Sequence, residues 1–241
     1  MSLPEIVSYD EWLAARRDLM VREKQFTRAR DALVADRRRL PMVEIEASYE
    51  FETRDGRKVS LLDLFEDRHQ LIIVHFMFDP SWEDGCPSCS AAADEMSPGL
   101  LDHLHTRDTT MVWVSRAPIA KIENYRKRKG WDIPWVSSFG SEFNYDFNVS
   151  FHPDDDPWFY NFTEQGSLPD GMPLEAPGRS HFLRDGERIF STYEVFARGM
   201  EQVGGSYYFL DETALGRQED WEEPKGRAIK ERPAVPNFEE G

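Results

Sequence analysis

The stretch "LIIVHFMFDPSWEDGCPSCSAAADEM", residues 71–96, decides the fold of this 241-residue chain. Its first part is apolar at nearly every position and lacks the polar alternation of a half-buried strand. A strand of that kind is covered on both faces, as strands of parallel sheets are. Its last part is alanine-rich and reads as helix. Between them stand Cys86 and Cys89, the only two cysteines in the chain. The thiols therefore fall where a buried strand gives way to a helix.

The same alternation runs on downstream. Pro98 interrupts the helical stretch, and "TTMVWVS" (109–115) is a second buried strand. "APIAKIENYRKRKG" (117–130) is an amphipathic helix that stops at Gly130. "WVSSF" (135–139) is a short third strand. Strand, helix, strand, helix, strand in this order implies an α/β sheet with right-handed crossovers.

The flanks extend this core. In "EIEASYEF" (44–51) apolar and polar residues alternate, the period of a half-buried strand. Asp55-Gly56 turns the chain into a second strand, and Ser60 caps a short helix in "SLLDLF". Residues 140–178 are loop-rich, and "SHFLRDGERIFSTYEVF" (180–196) is a hairpin turning at Asp185-Gly186. A last helix or strand is expected over 197–216. At the front, Ser8 and Glu11 form a capping box, and Trp12, Leu19, Phe26 and Leu33 recur every seven residues. This predicts a helix over 9–38 that acts as a packing arm. The expected organisation is a helical arm (1–40), an α/β domain (41–216) and an extended acidic tail (217–241).

Charge and hydropathy narrow the function classes. The net charge of −16 repels phosphate backbones, so nucleic acid and anionic membranes are poor partners. No apolar run reaches the length of a membrane span, and no secretory signal opens the chain. The expected location is the cytoplasm, where ordinary thiols stay reduced and a purely structural disulfide is out of place. Basic residues dominate 11–40 and acidic ones the tail, which leaves room for head-to-tail attraction within one chain or across a homodimer.

Three explanations compete for the thiols: chance, half a metal site, or a redox pair. Zinc wants four ligands, and the histidines supply them poorly, since His103 and His105 stand two apart and point different ways on a helix. His75, inside an apolar strand, reads as a core histidine. A redox pair fits the local physics best. Unpaired N–H groups and the dipole of a helix start stabilise a thiolate, and Pro87 suits the first helical turn. Cys86 would then attack a substrate disulfide and Cys89, one turn on, would resolve the mixed disulfide. Glu83 and Asp84 oppose this by placing negative charge nearby. Arg116, just beyond the second strand, is placed to stabilise a thiolate or a substrate carboxylate. Tyr145, Phe143 and Phe147 either wall a pocket or pack the core.

The chain resembles the thioredoxin-like superfamily, in the branch where a hairpin precedes the core. More narrowly, "DPSWEDGCPSCS" (79–90), "TTMVWVSRAPIAKIENYRKRKGW" (109–131), "PWVSSFGSEFNYDFNVSF" (134–151) and "TYEVFARGMEQVGGSYYFLD" (192–211) resemble the bacterial DUF899 family. Its members are commonly described as predicted thioredoxin-like dithiol–disulfide oxidoreductases. The resemblance runs over nearly the whole chain. It implies a thioredoxin-like α/β fold carrying the N-terminal helical arm and a β-hairpin extension, with Cys86 and Cys89 as the redox pair. A thioredoxin has a tryptophan beside its first cysteine, where here Trp82 stands four residues earlier. It also has a cis-proline before the strand facing the site; here that strand starts at Ser180, and Pro177 lies ahead of it. A peroxiredoxin has a proline and a threonine before its reactive cysteine; here Pro80 is present and the threonine is not.

The expected function is thus a dithiol–disulfide oxidoreductase acting on a disulfide-containing protein or a small thiol. No cofactor and no metal is expected; no dinucleotide fingerprint follows a strand, so the reductant is a separate protein or small thiol. The alternatives are a non-catalytic binding module on the same fold and a thiol peroxidase.

Overall fold

A computed structural model describes residues 4–168, 174–203, 212, 213 and 225. The chain divides into two compact units, one holding Met1–Pro41 and the other Met42–Ser206. The first is built on helix α1, Tyr9–Arg37. Its start is the expected capping box: the Ser8 hydroxyl accepts from the Glu11 N–H, and the Glu11 carboxylate accepts from the Ser8 N–H at 3.0 Å. Trp12, Leu19, Phe26 and Leu33 are all exposed.

The second unit opens with β1 (Val43–Glu44), β2 (Glu50–Glu52) and β3 (Lys58–Ser60). A 3-10 turn at Asp63–Phe65 leads to β4 (Gln70–His75). Then come α2 (Pro87–Asp94), α3 (Pro98–His105), β5 (Thr109–Ser115), α4 (Ile119–Lys129) and β6 (Trp135–Ser137). The segment expected to be loop holds the short helix α5 (Phe143–Asp146) and a small hairpin of β7 (Phe159–Tyr160) and β8 (Thr163–Glu164). The long hairpin is β9 (Gly178–Asp185) and β10 (Arg188–Phe196), with Gly186 at φ +63° in its turn. A 3-10 segment, Ala197–Val203, follows. The expected acidic tail and most of the expected last element lie outside the described residues.

The main sheet has the order β1-β10-β9-β4-β5-β6-β2-β3. At its centre β4 pairs with β5 in parallel, β9 runs antiparallel to β4, and β10 antiparallel to β9. Two parallel strands joined through helix, flanked by an antiparallel hairpin, with the cysteines just after the first strand, make a thioredoxin-like fold.

The stretch read as one strand over 44–51 is two strands on opposite sides of the sheet. Glu44 pairs with Phe190 on β10, whereas Glu52 pairs with Ser137 on β6. Between β1 and β2 lie six strand spacings, about 29 Å if the sheet were flat. Six peptide steps reach only about 21 Å, so the sheet must curl. The alternation is real but serves the crossing: Ile45 and Tyr49 pack into the core as the chain passes beneath the sheet.

Each face of the sheet buries its own cluster. Phe51, Phe65, Leu71, Ile73, Val114, Phe143, Phe147 and Phe182 fill one. Phe76, Phe78, Met111, Trp113, Ile122, Tyr125 and Trp135 fill the other, with Cys89 and Trp82 packed against it. The cysteine-bearing helix therefore belongs to the second face. Phe143 and Phe147 are core residues.

Candidate active site

Cys86 is the N-cap of α2 and Pro87 its first residue, where the missing N–H costs nothing. The loop ahead is held tightly. Lys121 on α4 donates to the carbonyls of Pro80 (2.9 Å) and Trp82 (2.6 Å). Gly85 is buried, and a Cβ there would meet Cε1 of Phe76 at 2.5 Å. The Cys86 N–H donates to the Met77 carbonyl at 3.0 Å, and the Met77 N–H faces the Cys89 sulfur. One residue's backbone thus clips both cysteines. One turn into α2, the Ser90 hydroxyl donates to the Cys86 carbonyl and bonds the Tyr125 hydroxyl, 2.9 and 2.8 Å respectively.

Both cysteines are free, and each residue keeps part of its surface exposed, but the Cys89 sulfur itself is shielded from solvent. Their environments push them apart. Cys86 falls to about 6, chiefly because its thiolate accepts the Cys89 thiol proton, and further because the N–H groups of Cys89 and Ser88 and the Ser88 hydroxyl point at it. Burial works against this shift. Cys89 rises, since it donates to Cys86, is buried, and lies near the Cys86 thiolate; the charge of Glu175 adds to the rise. Asp84, expected to hinder Cys86, is turned toward Arg128 in an ion pair.

Arg116 follows β5 directly and is engaged elsewhere than at the thiols. Its Nη2 meets Asp79 Oδ2 and its Nε meets Glu175 Oε1, both at 2.6 Å. Tyr145 lies over the guanidinium, 4.8 Å from ring centroid to Cζ. Glu175 also accepts from the Ser150 hydroxyl at 3.0 Å. Its side chain is only 1% exposed, and burial pushes it up to about 7 despite Arg116. Neither Glu175 nor Ser150 stands out in the sequence, because both lie in a stretch with no periodicity. Only the loop position of a carboxylate just before an apolar hairpin strand hints at Glu175.

Pro177 directly precedes β9, because pairing runs two residues further than the reading from Ser180: Gly178 pairs with His75. Gly178 permits this, since a Cβ would crowd Val149 and Phe196 at 2.9 and 3.0 Å. The cis-proline among the described residues is Pro157. His75 is buried, bonds Ser180 Oγ through Nε2 at 2.8 Å, and stacks on Phe143, on the face away from α2. Among the described residues no three His, Cys, Asp or Glu side chains cluster to hold a metal ion.

With a thioredoxin-like sheet, a Cys-Pro-Ser-Cys helix start and the family's segments on one scaffold, sequence comparison settles the lineage. The chain belongs to the DUF899 family. The family model matches residues 1–233 and is described as a bacterial protein of unknown function. No curated protein matches this DUF899 chain. Among solved structures it is similar to the peroxidoxin BcpB from Mycobacterium tuberculosis, at 13% identity over 65% of this chain and 85% of that one, with a TM-score of 0.43. Peroxiredoxin Q of Xanthomonas campestris shares 14% identity over 68% and 90%, TM-score 0.44. A putative protein disulfide isomerase from Bacteroides thetaiotaomicron shares 17% over 65% and 82%, TM-score 0.37. Likeness at this level says nothing about what the DUF899 chain does. None of its described helices is long and apolar enough to cross a membrane.

Proposed function

We propose that this protein is a dithiol–disulfide oxidoreductase in which Cys86 attacks and Cys89 resolves. One observation carries the reading. Cys86 stands at the N-cap position of α2 with Cys89 one turn on; the Cys89 thiol and nearby N–H groups pull Cys86 down to about 6, while Cys89 is pushed up. That asymmetry is what thiol–disulfide exchange needs.

The Cys86 thiolate attacks one sulfur of a substrate disulfide. A bond forms to Cys86 Sγ, and the first substrate thiolate leaves and takes a proton from solvent. Cys89 loses its proton and attacks Cys86 Sγ, and the second substrate thiolate leaves. The substrate disulfide is reduced to two thiols, and the protein ends with a Cys86–Cys89 disulfide. Trp82 and Pro87 shape the approach: Trp82 is half-buried beside the site, and Pro87 fixes the first turn. Arg116 holds the carboxylates of Asp79 and Glu175. The substrate is a protein or small-molecule disulfide, and a separate thiol reductant in the cytoplasm restores the dithiol.

The test mixes the reduced protein with a small aliphatic disulfide and follows it by mass spectrometry. A loss of two hydrogens, with peptide mapping to a Cys86–Cys89 bond and full recovery by a thiol reductant, is expected. Failure to form that bond overturns the reading, as does a Cys86 that is consumed only by hydroperoxide.

A further inference from the structure

We propose that Lys121 is a positioning residue for exchange at Cys86: its ammonium holds the loop 80–85 in the shape that keeps the two sulfurs in register. The proposal rests on the oxidoreductase reading above and names what fixes the geometry that reading needs.

The grip comes from one face of α4. Lys121, Tyr125 and Arg128 stand at i, i+4 and i+7, a spacing that puts their side chains on one stripe. Each holds the chain around Cys86 at a different point. Lys121 Nζ donates to the carbonyls of Pro80 and Trp82. Arg128 pairs with Asp84. Tyr125 reaches past Cys86 to Ser90 Oγ at 2.8 Å. The Ser90 proton is committed to the Cys86 carbonyl, so the Tyr125 hydroxyl is the donor to Ser90. Ile122 of the same helix is fully buried in the second core cluster and anchors α4 itself.

Lys121 carries the larger share of the grip on the loop. Arg128 and Asp84 are each more than half exposed, and ion pairs of that kind contribute little. Lys121, Pro80 and Trp82 are all half-buried. Among the described residues no other donor bonds the Pro80 or the Trp82 carbonyl. An ammonium has three protons to give, and two of them make charge-assisted bonds to the backbone of this one loop. Without it both acceptors lose their partner, and the loop must open to water to satisfy them.

The loop leads directly to the sulfur. From Trp82 the chain passes Gly85, packed on Phe76, to Cys86, whose N–H bonds the Met77 carbonyl. The Cys89 thiol, the N–H groups of Cys89 and Ser88 and the Ser88 hydroxyl support the Cys86 thiolate only while Cys86 stays at the start of α2. The other titratable and charged groups around the pair are Glu83 and Asp84 in the loop, Tyr125 and Arg128 on α4, Glu175, whose charge acts on Cys89, and Tyr160, which feels Cys89 in turn. Lys121 bonds none of these; its bonds go to the loop backbone.

The experiment compares full-length reduced wild type, Lys121→Met and Lys121→Arg. The pH dependence of Cys86 carbamidomethylation gives the midpoint of its ionisation. Stopped flow with an aromatic disulfide that liberates a coloured thiolate at each step gives attack by Cys86 as the first release and attack by Cys89 as the second. Lys121→Met moves the midpoint up from about 6 by about one pH unit or more, as the thiolate loses its donors. It also slows the second release about tenfold, as a pre-placed thiol becomes a loosely placed one. Lys121→Arg recovers part of both. A folded Lys121→Met with a lowered thermal midpoint but both readouts as in wild type overturns the proposal and leaves the oxidoreductase reading standing, as does a Lys121→Arg no better than Lys121→Met. Absence of the first release in wild type overturns both. If Lys121→Met does not fold, Lys121→Gln, which keeps a donor on a shorter chain, must show the same two changes, and its equality with wild type overturns the proposal.

Discussion

Gly85 lies against the ring of Phe76, so closely that a Cβ at position 85 would stand 2.5 Å from Cε1. The ring is buried and Tyr125 closes the other side, 3.1 Å from the same point. Gly85→Ala must therefore displace the loop that delivers Cys86 to the helix start. Overpacking of this kind costs about 1–3 kcal/mol. Thermal unfolding of the reduced variant should show a lowered midpoint, and Cys86 should alkylate more slowly. A midpoint equal to wild type would mean the loop has slack to spare.

The largest support for the Cys86 thiolate is the Cys89 thiol. Cys89→Ala removes that donor and should move the midpoint of Cys86 alkylation up from about 6 toward the ordinary thiol value. Cys89→Ser keeps a hydroxyl donor and should hold it low. Rates of carbamidomethylation between pH 5 and pH 9 distinguish the two. Equal midpoints in both variants would assign the shift to the backbone N–H groups instead.

Glu175 binds its proton more tightly folded than unfolded, since burial raises it to about 7. Its contribution to stability is therefore complete below the ordinary carboxylate range and lost as pH rises through about 7. Wild type should lose stability relative to Glu175→Gln between about pH 4 and pH 7, by on the order of 3 kcal/mol. Urea unfolding of both proteins at several pH values measures this. A difference that does not change with pH would show that the folded carboxylate titrates normally.

His75 has the opposite sign. Burial, with a smaller effect from His181, pushes it down to about 3, so folding excludes its proton. The unfolded chain binds more protons below the ordinary histidine range, and stability is lost as pH falls. Relative to His75→Phe, wild type should weaken by about 1.4 kcal/mol per pH unit on acidification below pH 6. The two variants should thus show slopes of opposite sign in the same pH series, and parallel slopes would refute both assignments.

Much of the core was legible because its signals are local. β5 falls on the predicted residues, α4 ends at Gly130 with φ +69°, and the hairpin turns where Asp185-Gly186 stand. The capping box at Ser8 and the break at Pro98 follow from short-range hydrogen bonding and a missing N–H. Residues 44–51 misled because alternation reports which side chains are buried, and not which strand they pair with. The candidate site divides in the same way. Cys86, Cys89 and Pro87 are neighbours in the chain and announce themselves. Arg116 was legible as a residue at the strand edge, but its partners were not.

Taken by itself, the amino-acid order determined that two thiols would stand at the junction of a buried strand and a helix, since hydrophobic period and helix-start chemistry are properties of consecutive residues. Only the tertiary structure decided that Asp79, Arg116, Ser150 and Glu175 would meet. Arg116 and Glu175 are 59 positions apart and are brought together because β5 and β9 both pair with β4. Such a meeting depends on which strands lie side by side, a choice made by burial of whole sheet faces and not encoded in any short stretch of chain.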